Sequence, residues 1–363
     1  MKNCITNNTV IGGVGKKQRE SGIELLRILS ACMVIWLHTN IPWGLQLATD
    51  GINNILLHVF EAIAVPAVDI FILISGYFMV NKNSVSIGKP ASLLLQYYIF
   101  GIAFFIPIYI YRYPNLPFDF SIFLLKHWFL TLYITMYFLS PYLNRIIKGL
   151  NLRQCGILLT LSVFFLSVYP IACDYIHLYT SFDTSGMNTV SRWNDDMGNN
   201  VITFLLLYLT GGLINKMGLV EKIARKKAMT MWCVSTLLIF CLYYIDMSYT
   251  DDVYGSVTLY YHNPLVIIQA VSLFVLFKNF TFKSNIINSL AAAAFTCYLL
   301  QGKILRFFHI DSCLTGSSVK MLIYYVLLPI VIYLISYFVY VLYSTIFKKL
   351  IGHLDKKVIQ YYD

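Results

Sequence analysis

Charged residues are scarce in this sequence, since Asp, Glu, Lys and Arg together make up only 12% of its 363 residues. Soluble globular domains carry about 25%, so water is excluded as the main solvent of the chain. Mean hydropathy is +0.68, and hydrophobic residues reach 58%. Apolar runs of about 20 residues, long enough to span a bilayer as helices, recur throughout. The composition predicts a polytopic integral membrane protein whose main partner is the lipid bilayer.

The motifs of soluble enzymes are also missing. The sequence has no glycine-rich phosphate loop, no GxSxG elbow and no HExxH helix, and its 8 cysteines show no CxxC spacing. No metal site and no permanently bound cofactor are therefore predicted. No internal repeat is evident, which weakens a transporter built from two matching halves. Any chemistry must take place among the helices or at their ends.

Ten apolar stretches are predicted to cross the membrane as an all-α helix bundle. They cover residues 23–43, 56–80, 91–111, 122–143, 154–172, 200–214, 228–245, 259–277, 286–308 and 319–347. The side holding both termini collects most of the 27 basic residues, whereas the opposite loops hold only Arg112 and Arg192. The positive-inside rule places both termini in the cytoplasm. The same distribution argues against a nucleic-acid partner, despite the net charge of +10.

The predicted organisation is one membrane domain, residues 21–349, between two short cytoplasmic tails, residues 1–20 and 350–363. No oligomeric state is predicted.

The first span carries two polar side chains that share one helix face. Arg27 and His38 are eleven residues apart, so at 100° per residue their directions agree within about 20° and they lie roughly 16 Å apart along the axis. Ionisable groups inside a span are costly and mark functional sites by default. Glu24 stands three residues before Arg27, the spacing of a local ion pair. Alone, Arg27 is typical of a snorkelling residue and His38 of a core histidine, but together they favour a site.

Four further spans contain candidate polar residues. In the second span, the carboxylates Glu61 and Asp69 are predicted to form a proton path, to orient His38 or to pair with a cation elsewhere, and Ser75-Gly76 is a small pair that allows close helix approach. Glu61 lies nearer the end of that span and is interpreted as interfacial. The residues of the other spans are Lys89, His127, Trp128, Lys303 and Arg306.

These residues have competing interpretations. His127 and Trp128 either anchor the fourth span at the interface or line the site of a carbohydrate acceptor, because aromatic faces stack on sugar rings. Lys303 and Arg306, in the ninth span, either neutralise acids such as Asp69 or attract an anionic substrate. Lys89 enters the third span from the cytoplasmic side.

Four segments resemble the acyltransferase 3 family of bacterial membrane acyltransferases. The first-helix motif is similar to IELLRILSACMVIWLH, with the arginine and histidine falling on Arg27 and His38. The second-helix motif is similar to VDIFILISGYFM, the fourth-helix block to HWFLTLYITMYFLSP, and a late-helix motif to YLLQGKI. Family members often carry an arginine pair entering the third helix, where this chain reads SIGKPASLLLQYY with Lys89 as its only cation.

The resemblance implies transfer of an acyl group, commonly acetyl, from cytoplasmic acetyl-CoA to hydroxyls of a surface glycan or its lipid-linked precursor. It implies a multi-pass protein of the bacterial cytoplasmic membrane, with acetyl-CoA as a substrate and not a resident cofactor. Arg27 and Lys89 would bind the donor, and His38 would be the base or a covalent relay. Glu24, Asp69, His127, Trp128, Lys303 and Arg306 would serve substrate binding.

Two rival functions stay open at this point. The protein could be a transporter or flippase for polysaccharide intermediates, with its buried charges forming the substrate path. It could also be a non-catalytic structural or sensor protein of the membrane.

Overall fold

The computed structural model describes residues 19–40, 45, 51–112, 125, 127–184, 186–190, 196–249, 256–308, 317–354 and 358–360. This part of the chain is almost entirely helical, which confirms the all-α fold class, and a two-stranded ribbon is its sheet structure. In the first half the elements are α1 (Ser21–Thr39), α2 (Gly51–Ala64), α3 (Ala67–Met79), β1 (Ser84–Ser86), α4 (Gly88–Arg112), α5 (Trp128–Gly149), α6 (Leu152–Val163) and α7 (Tyr169–Thr180). In the second half they are α8 (Val201–Met217), α9 (Leu219–Lys222), α10 (Arg225–Asp246), α11 (Pro264–Lys278), α12 (Asn285–Leu290), α13 (Ala294–Leu305), α14 (Ser318–Leu354) and β2 (Val358–Gln360).

Six of the helical segments are long and apolar enough to cross a membrane. They are Ser21–Thr39, Gly51–Met79, Leu152–Thr180, Arg225–Asp246, Val257–Lys278 and Ser318–His353, and the apolar α8 is shorter. The chain is therefore a multi-pass membrane protein. Helices α4, α5, α8 and the pair α12–α13 overlap the other four predicted spans, and their crossing of the membrane stays a prediction.

Several predicted spans are interrupted or end early. The second is split into α2 and α3 at Pro66, whose ring prevents regular helical hydrogen bonding through that point. A π-helical turn, Phe164–Val168, joins α6 to α7, and a 3₁₀ turn, Ala291–Ala293, joins α12 to α13. Helix α1 covers Ser21–Thr39, so His38 lies in its last turn.

Contacts between helix ends place the start of α1 beside the start of α12 and the end of α11. The Ser21 hydroxyl donates to Asn288 Oδ1 (3.0 Å) and accepts from the backbone N–H of Ser284 (2.9 Å). Lys278 forms an ion pair with Glu20 (2.8 Å). These residues belong to the set predicted to lie on the cytoplasmic side.

The end of α14 reaches the same side of the bundle. Strand β2 follows α14 and pairs antiparallel with β1, with Val85 opposite Ile359. Strand β1 follows the end of α3, where Lys278 Nζ lies 5.6 Å from the ring centre of Tyr77. The start of the first helix and the end of the last helix thus lie on the same side of the bundle. This is the arrangement expected when a chain crosses the membrane an even number of times. The assignment of this side to the cytoplasm stays a prediction of the positive-inside rule.

Helices α3 and α8 pack backbone against backbone through two glycines. A Cβ added to Gly76 would lie 2.2 Å from the carbonyl oxygen of Tyr208, and one added to Gly211 would lie 2.4 Å from that of Leu73. Only glycine permits helix axes to approach this closely. The close approach expected for Ser75-Gly76 is therefore confirmed, and it fixes α3, which forms one wall of the site described below.

Replacing Gly76 by alanine is expected to destabilise the protein by more than 1 kcal/mol, because the new methyl group collides with a backbone carbonyl that cannot swing away. Gly101→Ala is the matched control, since nothing lies within 4 Å of a Cβ built there and alanine has the better helix propensity. Thermal unfolding in detergent, followed by circular dichroism, measures both. Equal midpoints for the two variants would show that the close contact does not matter.

Candidate active site

One face of α1 lines a cavity of about 300 Å³. Glu24, Arg27, Ala31 and Val34 all border it, and their spacing of three and four residues is that of a single helix stripe. His38 is the next position of this stripe. The face predicted from the spacing of Arg27 and His38 is thus the face that borders the cavity, with Arg27 among the lining residues and His38 one turn beyond Val34.

The ion pair predicted between Glu24 and Arg27 is present. Arg27 Nη1 donates to Glu24 Oε1 at 3.1 Å and to Oε2 at 3.2 Å. The Glu24 side chain is 7% exposed and that of Arg27 is 33% exposed, so the guanidinium borders the cavity while the carboxylate is enclosed. This arrangement differs from snorkelling, in which the head group turns outward to the membrane surface. The pair holds a positive group at the mouth of the cavity.

Lys89 adds a second cation to this mouth, although it belongs to α4. Its Nζ donates to the Tyr133 hydroxyl at 2.7 Å and lies 5.3 Å from the ring centres of Tyr133 and Tyr137. Arg19 borders the same cavity from the segment before α1. Three cations from separate segments therefore face one opening, which is an arrangement suited to an anionic ligand.

A short ribbon supports Lys89. The Tyr137 hydroxyl donates to the carbonyl of Ser86 and accepts from its N–H, both at 3.1 Å, and Ser86 Oγ accepts from the N–H of Gly88 at the start of α4 (3.1 Å). Because Ser86 belongs to β1, which pairs with β2, the end of the chain contributes to placing α4. The segment 350–363, predicted as a tail, thus includes a structural strand.

The remaining lining of the cavity is mostly aromatic or small and apolar. Its aromatic residues are Phe71, Phe129, Tyr133, Phe295 and Tyr298, and its small ones include Ala291, Ala292 and Ala294. The ring centres of Phe129 and Tyr298 are 5.2 Å apart, and those of Phe295 and Tyr298 are 6.1 Å apart. The cavity therefore combines a few charged residues with mostly apolar walls.

His38 has a defined tautomer. Its Nδ1 lies 2.8 Å from the carbonyl oxygen of Val34, and since a carbonyl only accepts, Nδ1 carries the proton. Nε2 is then the atom with the free lone pair, and it has no hydrogen-bond partner within the part of the chain that the structure describes. His38 is also the exposed residue of α1. It is therefore oriented by its own helix to present a basic nitrogen.

His127 packs against the aromatic wall of the cavity through Tyr298. The Tyr298 hydroxyl lies 3.4 Å from His127 Nδ1, and the Tyr97 ring centre lies 5.3 Å from that of the imidazole. Residues of α4, α13 and the segment before α5 thus meet here.

Trp128 is partly exposed and packs on Phe204 and Tyr261 at ring distances of 6.1 and 5.9 Å. These contacts fit the anchoring interpretation. Its participation in substrate binding stays a prediction.

Lys303 and Arg306 are neighbours, but neither pairs with Asp69. Lys303 Nζ donates to the carbonyl of Phe100 at 3.1 Å, and Arg306 is exposed close to it. Asp69 is fully buried, and neither of its carboxyl oxygens has a hydrogen-bond partner among the described residues. The idea that Asp69 orients His38 finds no contact in that part of the chain, because His38 Nδ1 binds a backbone carbonyl.

Sequence reasoning did not single out Tyr133, Tyr298 or Phe129 as site residues. Each lies inside one of the motif segments quoted above, so the motifs contained the signal. With 28 tyrosines and 25 phenylalanines in the chain, residue type alone could not select them.

A family model described as an acyltransferase domain matches residues 20–347 of this chain. The match covers α1 to α13, most of α14, all four motif segments and every cavity residue except Arg19. The architecture and the match together define a membrane acyltransferase. The chain belongs to the acyltransferase 3 family, as its motifs indicated. The comparisons found no match among curated proteins and none among solved structures.

Proposed function

We propose that this membrane acyltransferase moves an acetyl group from cytoplasmic acetyl-CoA to a hydroxyl of an extracytoplasmic polysaccharide or its lipid-linked precursor. Its place of work would be the bacterial cytoplasmic membrane. The observation that carries the proposal is the stripe on α1, where Glu24 and Arg27 border the cavity and His38 follows the cavity residue Val34 by four residues with Nε2 available.

The cavity suits an acyl-CoA donor because it combines cations with apolar walls. Arg27, Lys89 and Arg19 at the mouth would bind phosphate groups by charge-assisted hydrogen bonds. A guanidinium already oriented by a carboxylate loses little freedom when it binds an anion in a bidentate manner. The apolar walls beyond would accept the extended pantetheine arm, whose thioester would then approach His38.

His38 would act as the general base. As the acceptor oxygen forms its bond to the thioester carbon, the hydroxyl proton passes to His38 Nε2. The carbon–sulfur bond then breaks, and the imidazolium returns the proton to the departing thiolate. The hydrogen bond from Nδ1 to Val34 stabilises the protonated ring in the required orientation. In the alternative, Nε2 itself takes the acetyl group and passes it to the acceptor.

The acceptor would bind near His127, where the aromatic wall meets Lys303. Tyr298, Tyr97 and the exposed edge of Trp128 offer faces on which sugar rings stack. Lys303 and Arg306 would attract a phosphate-bearing carrier. Asp69, buried beside the cavity residue Val68, would hold or pass a proton on the acceptor side.

Replacing His38 by glutamine is expected to lower acetyl transfer by about 10²- to 10⁴-fold, the usual contribution of a positioned general base. Purified protein or membranes are given labelled acetyl-CoA, and label in the glycan fraction is counted. His58→Gln is the matched control, because His58 Nδ1 makes the same bond to a carbonyl four residues earlier (Asn54, 2.8 Å) but belongs to α2 and not to the stripe on α1. Undiminished transfer by the His38 variant would refute the assignment. Movement of glycan across the membrane without label would support the transporter instead.

Replacing Lys89 by methionine is expected to raise KM for acetyl-CoA about fivefold with little change in kcat, because a half-solvated charge contact contributes ~1 kcal/mol. Lys226→Met, an exposed lysine at the start of α10, removes the same charge away from the cavity. Steady-state kinetics at two salt concentrations measure both. The KM of the Lys89 variant should also depend less on salt, and a KM equal to that of the Lys226 variant would remove Lys89 from the donor site.

A further inference from the structure

The end of α1 is held by a buried polar cluster directly after His38. Asn40 is fully buried, and its Nδ2 donates to Glu61 Oε2 and to the carbonyl of Leu57, both at 2.9 Å. The Tyr325 hydroxyl donates to Asn40 Oδ1 at 2.7 Å. The amide of Asn40 thus engages both its N–H groups and its oxygen, and it joins α1 to α2 and α14.

The same neighbours hold α1 on the other side of His38. Trp36 Nε1 donates to the backbone carbonyl of Tyr325 at 2.7 Å. The Phe60 ring lies between them, with ring centres 5.1 Å from Trp36 and 5.0 Å from Tyr325. His38 therefore stands between two residues, two positions before and two after it, that are both fixed to Tyr325.

Burying the Glu61 side chain in this cluster costs free energy, which suggests that the cluster has a function. Glu61 is 1% exposed, and among the described residues its side chain forms no ion pair and takes its hydrogen bond from an amide. Burying a carboxyl group in a membrane span costs free energy that an apolar contact would avoid. A polar cluster of this kind specifies one geometry, whereas apolar side chains tolerate sliding and rotation of the helix end.

We propose that Asn40, Glu61 and Tyr325 are positioning residues that fix the last turn of α1 and thereby aim His38 Nε2 at the reacting thioester. The proposal rests on the proposed role of His38. A displacement of about 1 Å at a reacting group costs about 10²-fold in rate. Loss of the cluster should therefore lower kcat while leaving the donor site at the cavity mouth unaffected.

The test exchanges the two polar groups of the cluster. Asn40→Asp places a second carboxyl group where a donor is required, and it is expected to lower kcat at least tenfold with KM for acetyl-CoA unchanged. Combining it with Glu61→Gln restores two of the three contacts, because the new glutamine amide can donate to the new aspartate, whose other oxygen still accepts from Tyr325, while the bond to the Leu57 carbonyl stays lost. The double variant should therefore be severalfold faster than Asn40→Asp and slower than the unmodified protein.

The matched control is Thr39→Val, which removes a buried hydroxyl whose one bond among the described residues is to the carbonyl of Ile35 in its own helix. Its kcat should stay unchanged. Asn40→Leu, which removes all three contacts, should be as slow as Asn40→Asp or slower. Unchanged kcat in Asn40→Leu, or a double variant no faster than a slow Asn40→Asp, would overturn the proposal.

A second measurement does not depend on turnover. The rate at which diethyl pyrocarbonate modifies His38, read by mass spectrometry of the peptide, should rise severalfold in Asn40→Asp and fall again in the double variant. A rate that stays the same in all variants would also overturn the positioning role. If the protein transfers no acetyl group but the rates follow this pattern, the proposed function fails while the positioning of His38 stands.

Discussion

Arg27 is a cation in the apolar helix α1, and it requires both an anionic partner and a polar space around its guanidinium. The packing of the other helices around α1 meets this requirement. Arg27 obtains its partner from Glu24 on the same helix, and the space is the cavity that α3, α4, α5 and α13 complete around α1. Without these surroundings the pair would face lipid, at a cost of several kcal/mol. The close α3–α8 contact at Gly76 and the ribbon supporting α4 hold the walls that make the arrangement possible.

The site residues on α1 could be predicted because they share a single helix. Its periodicity alone brings Glu24, Arg27 and His38 to one face, and no knowledge of the remaining fold is required. The fold class and the approximate places of the spans likewise follow from hydropathy. The break at Pro66 was not predicted, because the residues on both sides of this proline form one long apolar run.

The remaining features depend on contacts between distant segments. Lys89 and Tyr133 meet because α4 and α5 pack side by side, and β1 meets β2 across most of the chain length. Two strands of three residues carry no periodic signal that could predict their pairing. Asn40 was unremarked because its role arises only where α2 and α14 reach the end of α1.

The two ends of the α1 stripe differ in chemistry, as the proposed transfer between compartments would require. Arg27 places positive charge at one end, and at the other end His38 donates from Nδ1 to a backbone carbonyl. The anchoring of Trp36 and Asn40 to Tyr325 then makes the far end rigid. In this account α1 holds the donor-binding Arg27 and the base His38 in a constant relative position.

The central claim is that α1 connects a cytoplasmic donor to an acceptor on the other side. The most direct measurement uses sealed vesicles of known orientation, with labelled acetyl-CoA supplied to one face at a time. The account predicts that label reaches the glycan when acetyl-CoA is on the face holding Arg27 and Lys89, with the acceptor on the opposite face. Labelling only when donor and acceptor share the opposite face would contradict it.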